Sequence, residues 1–228
     1  MAILRFWDML DDTEKAALSS FGRARAYRAG QRLVAETDVD CWTGVIAEGT
    51  CRVTGTREDG SRSYLAARGP GDIIGEMAAV RGARRTAEVT AVTGVVVHVL
   101  PASKFQRLLE THPSFTRHLL TVALDRLQEA DRRRSEVAVA ATEVRLSRLL
   151  VRLARTEGIA VPDSRSVVLY GIAQTDLAEW CGVSRASVQR QLRRLAAEGL
   201  LRAGPRRREL TVLDPDELMA STLRTRSL

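Results

Sequence analysis

From Phe21 to about Pro101 the chain alternates. β-Branched and aromatic residues trade places with polar ones through ARAYRAGQRLVAE, WTGVIAEGTCRVTGT, SRSYLAARGPGD and AEVTAVTGVVVHVL. A period of two puts one face of a strand in a core and turns the other outward. Gly30, Gly44, Gly49, Gly60 and Gly69 punctuate the runs, and Glu58-Asp59-Gly60 has the residues of a tight hairpin. Many short strands at close spacing predict an antiparallel sandwich or barrel. On either side the period becomes helical. Residues 1 to 20 read as a short lead-in, with Phe6, Leu10 and Leu18 on one face and Thr13 as N-cap. After Lys104 a short helix stops at His112-Pro113. A long one follows, with Ser114 placed to cap it. Its stripe runs Leu120, Leu124, Leu127, Asp131, Arg134, Ala138 and Ala141, in the steps of four and three that make a coiled-coil seam. One helix cannot bury such a seam alone. A second copy in parallel is the expected cover, with packing on the chain's own β domain as the alternative. A further helix starts near Thr142, carries Val144, Leu146, Leu149, Leu150 and Leu153, and closes at Glu157-Gly158. VPDSRSVVLYGI then reads as a loop with room for a strand.

Composition narrows the class. The 228 residues are 45% hydrophobic and 28% charged, enough for one large or two small folded domains and unlike a disordered chain. A net charge of +7 suits an acidic partner, nucleic acid before membrane. Residues 142 to 228 hold fifteen arginines against ten acids, so most of the excess lies in the smaller, C-terminal part. Cys41, Cys51 and Cys181 form no CxxC and no four-ligand set. That argues against an iron–sulfur cluster or structural zinc and fits a reducing cytoplasm. The N-terminal apolar run is broken by Arg5 and Asp8, unlike a signal peptide, and no run approaches membrane-spanning length.

The chemistry concentrates in Gly71 to Ala91, GDIIGEMAAVRGARRTAEVTA. A short helix after the glycines would aim free N–H groups at an anion. Arg85 offers a planar guanidinium to phosphate oxygens, and Thr86 adds a hydroxyl. Glu76 would repel a phosphate but can accept from a sugar hydroxyl. An acid for a sugar beside a base for a phosphate describes a nucleotide. Gly75, Glu76, Met77, Ala78, Arg85, Thr86 and Ala87 resemble the phosphate-binding cassette of cyclic-nucleotide-binding domains. The resemblance implies that Glu76 takes the ribose 2′-hydroxyl and that Arg85 and Thr86 take the cyclic phosphate, with N–H groups near Gly75 to Ala78. The β-roll of that family is matched at the Gly30 and Gly49 turns. Thr37-Asp38 departs from it, standing where relatives often carry Gly-Asp.

A second motif lies at Ile172 to Leu201. Leu177 and Trp180 mark one helix, Cys181-Gly182-Val183 a tight turn, and Ser184 caps a second helix buried through Val188, Leu192 and Leu195. Arg185, Ser187, Gln189, Arg190 and Arg193 populate the rest of that helix. Two short helices about a glycine turn, the second rich in Arg and Gln, make a helix-turn-helix. RAGPRRRELTVLD then reads as a two-stranded wing with Arg206 to Arg208 near its tip. Asp176, Leu177, Ala178, Gly182, Ser184, Arg185, Val188, Arg190 and Leu192 resemble the winged helix-turn-helix of the Crp–Fnr family of bacterial transcription regulators. The resemblance implies base reading by Arg185 and Arg190 and phosphate contacts from Ser184 and Ser187. Gln189 offers a further contact, and Arg206 and Arg207 on the basic wing are read as DNA-binding. Ala186 stands where cyclic-AMP receptors carry an acid that reads cytosine, so the operator need not match theirs.

The expected fold is α+β: an antiparallel, jelly-roll-like β-roll over 1–113, a dimerisation helix over 114–141, and a winged helix-turn-helix over 142–228. The expected function is a non-enzymatic, cytoplasmic, homodimeric regulator of transcription that binds double-stranded DNA and RNA polymerase under control of a cyclic nucleotide. Cyclic AMP is the family's usual effector. However, aligning the long helices puts Ala130 and Asp131 where cyclic-AMP receptors present Thr and Ser to adenine. Asp131 could accept from guanine N1–H and N2–H and Arg134 donate to a purine edge, so cyclic GMP and cyclic di-GMP are rivals. The alternative is a relative freed from nucleotide control. His98, His112 and His118 show no haem-ligand pattern, and no metal set stands out.

Overall fold

The computed structural model describes residues 5–39, 42–138, 142–205 and 208–224, apart from the side chains of 132–143, 223 and 224. Two compact units result: Met1–Gly55 with Leu65–Ser135, and Thr56–Tyr64 with Glu136–Leu228.

The first unit begins with α1 (Phe6–Met9) and α2 (Asp12–Phe21). Strands β1 (Arg23–Tyr27), β2 (Arg32–Val34), β3 (Trp42–Glu48), β4 (Cys51–Thr56), β5 (Arg62–Arg68) and β6 (Ile73–Ile74) follow. Then come α3 (Glu76–Arg81), β7 (Glu88–Ala91), β8 (Val95–Pro101), α4 (Ala102–Thr111) and α5 (Pro113–Ala138). The strands form two four-stranded sheets, ordered β1-β8-β3-β6 and β2-β7-β4-β5. Alternation builds two cores from one sheet. Ile46, Ile74 and Val99 face inward with Leu33, Cys51 and Val89 of the other sheet. Their neighbours Val45, Ile73 and Leu100 face outward, against Phe6, Leu18, Phe105 and Phe115 of the helices. Phe115 packs edge-on to Phe6 at 5.0 Å and to Phe105 at 5.8 Å. Each such phenylalanine contributes about 2–3 kcal/mol by burial.

Two caps differ from the sequence expectation. Asp11, not Thr13, caps α2: it accepts from the Glu14 N–H at 2.8 Å while Glu14 accepts from the Asp11 N–H at 3.0 Å. This reciprocal box needs an acid three residues on, which Asp11 has and Thr13 lacks. The long helix starts at Pro113, whose fixed φ suits a first helical position. Ser114 lies inside it and donates its hydroxyl to the buried Glu14 at 2.5 Å. Thr37 has φ 74°, so the position where relatives often carry glycine is left-handed here with a β-branched residue.

The second unit contains α6 (Thr142–Glu157), β9 (Ile159–Ala160), β10 (Val167–Tyr170), α7 (Gln174–Cys181), α8 (Arg185–Ala197), β11 (Leu201–Ala203), β12 (Glu209–Val212) and α9 (Pro215–Arg224). Its sheet runs β11-β12-β10-β9, so the wing pair extends β10, the one strand within VPDSRSVVLYGI. Leu146, Leu150 and Leu153 of α6 meet Leu177, Val188, Leu195, Leu169 and Val212 in one core, and Tyr64 joins them.

Candidate nucleotide and DNA sites

The cassette is built around Gly75. It caps α3 with φ 77°, and a Cβ there would sit 2.5 Å from Arg85 Nη1 and 2.8 Å from the Trp42 carbonyl. Both the conformation and the space demand glycine. The Arg85 guanidinium is buried. It donates to the Gly75 carbonyl at 2.8 Å and the Trp42 carbonyl at 2.5 Å, and lies 5.2 Å from the centre of the Trp42 ring. Thr86 and Met77 are exposed, while Ala78 is buried at the start of α3. The first-turn N–H groups of α3 lack intrahelical acceptors, as at any helix start. Arg85 and α3 are therefore drawn together, with the arginine holding the cassette's own backbone.

Sequence reasoning missed Arg126. Its guanidinium donates to Glu76 Oε1 at 2.6 Å and to the Ile73 carbonyl at 2.8 Å. A signal existed. Phe115, Leu119, Val122 and Arg126 repeat in steps of four, three and four, and the first three pack into the helical core of this unit. An arginine at the next position of a buried face asks for a buried acid. Arg68 at the end of β5 belongs to the same cluster. Its pKa is pushed down to about 10, first by burial and then by the charge of Arg126, against the pull of Asp72, Glu76 and Glu129. It stays charged at neutral pH.

The helix thus has two faces. Leu120, Leu124 and Leu127 are exposed at 58%, 56% and 55%, on the stripe read from the sequence. Asp131 is exposed on the same helix. The side chains of Arg134 and Ala138, also on that stripe, lie outside the described residues, as does Ala141.

In the second unit α7 ends at Gly182, φ 63°, and Ser184 caps α8 by accepting from the Ser187 N–H at 3.1 Å. The two hydroxyls lie 2.9 Å apart. Val188, Gln191 and Leu195 turn inward, whereas Ser184, Arg185, Gln189, Arg190 and Arg193 are exposed and Ser187 is half-buried. Gln191 is a further surprise, an amide on the apolar side of α8. Arg206 and Arg207 fall outside the described residues; Arg208 beside them is exposed, with φ 64°. No helix among the described residues is long and apolar enough to cross a membrane.

Comparison with known proteins agrees with both halves. Residues 24–112 match the cyclic nucleotide-binding domain family, and residues 144–221 match the Crp-like helix-turn-helix domain. The chain is 30% identical over 189 residues to the cyclic AMP receptor protein of Thermus thermophilus, covering 83% of each. It is 26% identical to a probable transcriptional regulator, flp, of Lacticaseibacillus casei, over 95% of this chain and 96% of that one. The solved c-di-GMP responsive global regulator CLP of Xanthomonas campestris shares the fold. Its TM-score is 0.72 at 23% identity, over 90% of this chain and 99% of that one. The chain belongs to the CRP/FNR family, as a DNA-binding transcription regulator that joins a cyclic nucleotide-binding domain to a Crp-like helix-turn-helix.

Proposed function

We propose that the chain is a homodimeric regulator whose DNA affinity is set by a cyclic nucleotide. The observation that carries this reading is the 2.6 Å pair between Glu76 of the cassette and Arg126 of α5. The acid suited to a ribose hydroxyl is held by the helix whose opposite stripe exposes three leucines. A ligand that inserts a hydroxyl at Glu76 changes the hold on that helix, and it acts through its differential affinity for the two states. In this proposal Arg85 and Thr86 take the phosphate with N–H groups near Gly75, Met77 and Ala78. Leu120, Leu124 and Leu127 close against a second copy. Residues 1–113 form the sensor, 114–141 the dimer helix and 142–228 the DNA module. Arg185 and Arg190 read bases, Ser184 and Ser187 meet phosphates, and Gln189, Arg206 and Arg207 add contacts. The two half-sites stand about 34 Å apart, one turn of duplex. The setting is the bacterial cytoplasm, with RNA polymerase as a protein partner and no catalytic turnover.

Cyclic AMP is the first effector to test, since the Thermus relative is named for it. The exposed Asp131 suits a guanine edge and keeps cyclic GMP and cyclic di-GMP in play. A second reading, regulation without nucleotide, is favoured by one feature: Arg85 and Glu76 are already satisfied by the protein's own groups. Calorimetric titration of wild type and Arg85→Ala with the three nucleotides separates the readings. Binding of one nucleotide, lost in the variant, supports the first; no heat with any of them on folded wild type supports the second.

A further inference from the structure

The tip of the hairpin between β4 and β5, residues Thr56–Tyr64, is built into the second unit. Arg57 donates from Nη1 to the Glu179 carbonyl at 2.7 Å and from Nη2 to the Trp180 carbonyl at 3.4 Å. The Glu179 carboxylate accepts from the Arg62 N–H at 3.4 Å. Tyr64 is 9% exposed, stacks at a tilt on Trp180 with ring centres 5.6 Å apart, and shares a 3.1 Å hydrogen bond with the Thr156 hydroxyl. The tip is itself ordered: Asp59 accepts from the N–H and hydroxyl of Ser61, bonds that hold its carboxyl below the usual range.

The place of attachment matters. Glu179 and Trp180 lie in the last turn of α7, where carbonyls lack helical donors and a cation is favoured by the helix dipole. The same Glu179 carbonyl accepts from the Gly182 N–H at 3.1 Å, and the Ala178 carbonyl accepts from the Val183 N–H at 3.0 Å. These bonds make the turn that aims α8. Arg57 is exposed and could have left its charge in water; instead it holds the turn from behind. The strand that carries Tyr64 runs on through Arg68, and the chain then passes to Gly75 and Glu76.

We propose that Arg57 and Tyr64 are positioning residues for the DNA-reading turn, and that β5 is the covalent link through which the cassette alters the aim of α8. The second half rests on the nucleotide reading; the first does not.

The test uses full-length protein without nucleotide. Hydrogen exchange is followed at residues 178–186, and affinity is measured by fluorescence anisotropy for a duplex that wild type selects from a random library. Arg57→Ala, Arg57→Lys and Tyr64→Phe are compared. The expected result for Arg57→Ala is faster exchange at Gly182 and Val183 together with a change in DNA affinity of about three- to tenfold, the scale of one exposed charge-assisted bond. Arg57→Lys restores part of both, and Tyr64→Phe moves both in the same direction by less. Unchanged affinity and unchanged exchange overturn the proposal. Changed affinity with unchanged exchange overturns it too, because Arg57 would then touch DNA itself. Faster exchange with unchanged affinity reduces the contact to local stability and equally overturns it. If cyclic AMP binds wild type, the ratio of DNA affinities with and without it moves toward one in Arg57→Ala. If none of the three nucleotides binds, the sensor reading fails while the exchange and affinity arms still decide the role of Arg57.

Discussion

The pair between Glu76 and Arg126 makes a prediction with a number attached. Replacing Arg126 by alanine removes two charge-assisted bonds, at 2.6 and 2.8 Å, and leaves a carboxylate whose side chain was only 13% exposed. Such bonds contribute about 1.5–3 kcal/mol each when well shielded. Arg126 is 22% exposed, so solvent screens part of that. The expected loss is about 2 kcal/mol. With a slope near 2 kcal/mol per molar, the urea midpoint should fall by about 1 M. Arg126 bonds both Glu76 and the Ile73 carbonyl, so a cycle is needed to isolate the pair. Glu76→Gln alone should cost about 1 kcal/mol, and the double variant no more than Arg126→Ala alone, a coupling of about 1 kcal/mol. Urea titration of the four proteins, followed by tryptophan fluorescence, reads this directly; Trp7 and Trp42 lie in the first unit. Strict additivity of the two substitutions would refute the reasoning, since the two groups would then not be acting on each other.

Two further predictions concern backbone and caps. Thr37→Gly should raise stability by about 1 kcal/mol, because it removes a β-branched residue from φ 74°, and a melting curve checks it. Asp214 accepts from the N–H groups of Asp216 and Glu217 at the start of α9 and from Arg165 at 3.2 Å. Its carboxyl is held below the usual carboxylate range, chiefly by the Glu217 N–H, so the native state favours the ionised form. That stabilisation is present above the ordinary carboxylate pKa and is lost as pH falls through the lowered native value. Asp214→Ala should therefore cost about 1 kcal/mol at neutral pH and progressively less in acid, as seen by denaturant titration across pH.

Much of this could be read along the chain because local rules were obeyed. The two-residue alternation placed the strands, Glu58-Asp59-Gly60 made its hairpin, and Ser184 capped the second helix of the helix-turn-helix. What escaped depends on partners distant in sequence. Asp11 and Thr13 are both respectable caps, and only the reciprocal bond with Glu14 chooses between them. Ser114 looked free to cap until Glu14, from another helix, claimed its hydroxyl. The fate of Arg85 was set by the Trp42 carbonyl, and that of Arg126 by Glu76. The hairpin turn was legible at Asp59-Gly60, yet nothing in its residues announced that Arg57 would end on α7. In each case a charged or hydroxyl side chain had several chemically equivalent partners, and tertiary placement selected one.

The sheet that carries Val45 beside Ile46, Ile73 beside Ile74 and Val99 beside Leu100 has packed side chains on both of its faces. A slip of one residue in any of these strands would exchange the contents of two cores at once. Insertions and deletions should consequently be purged from β3, β6 and β8 and collect in the turns. A plate of this kind has little compliance, because any shift that loosens the packing on one face crowds the other.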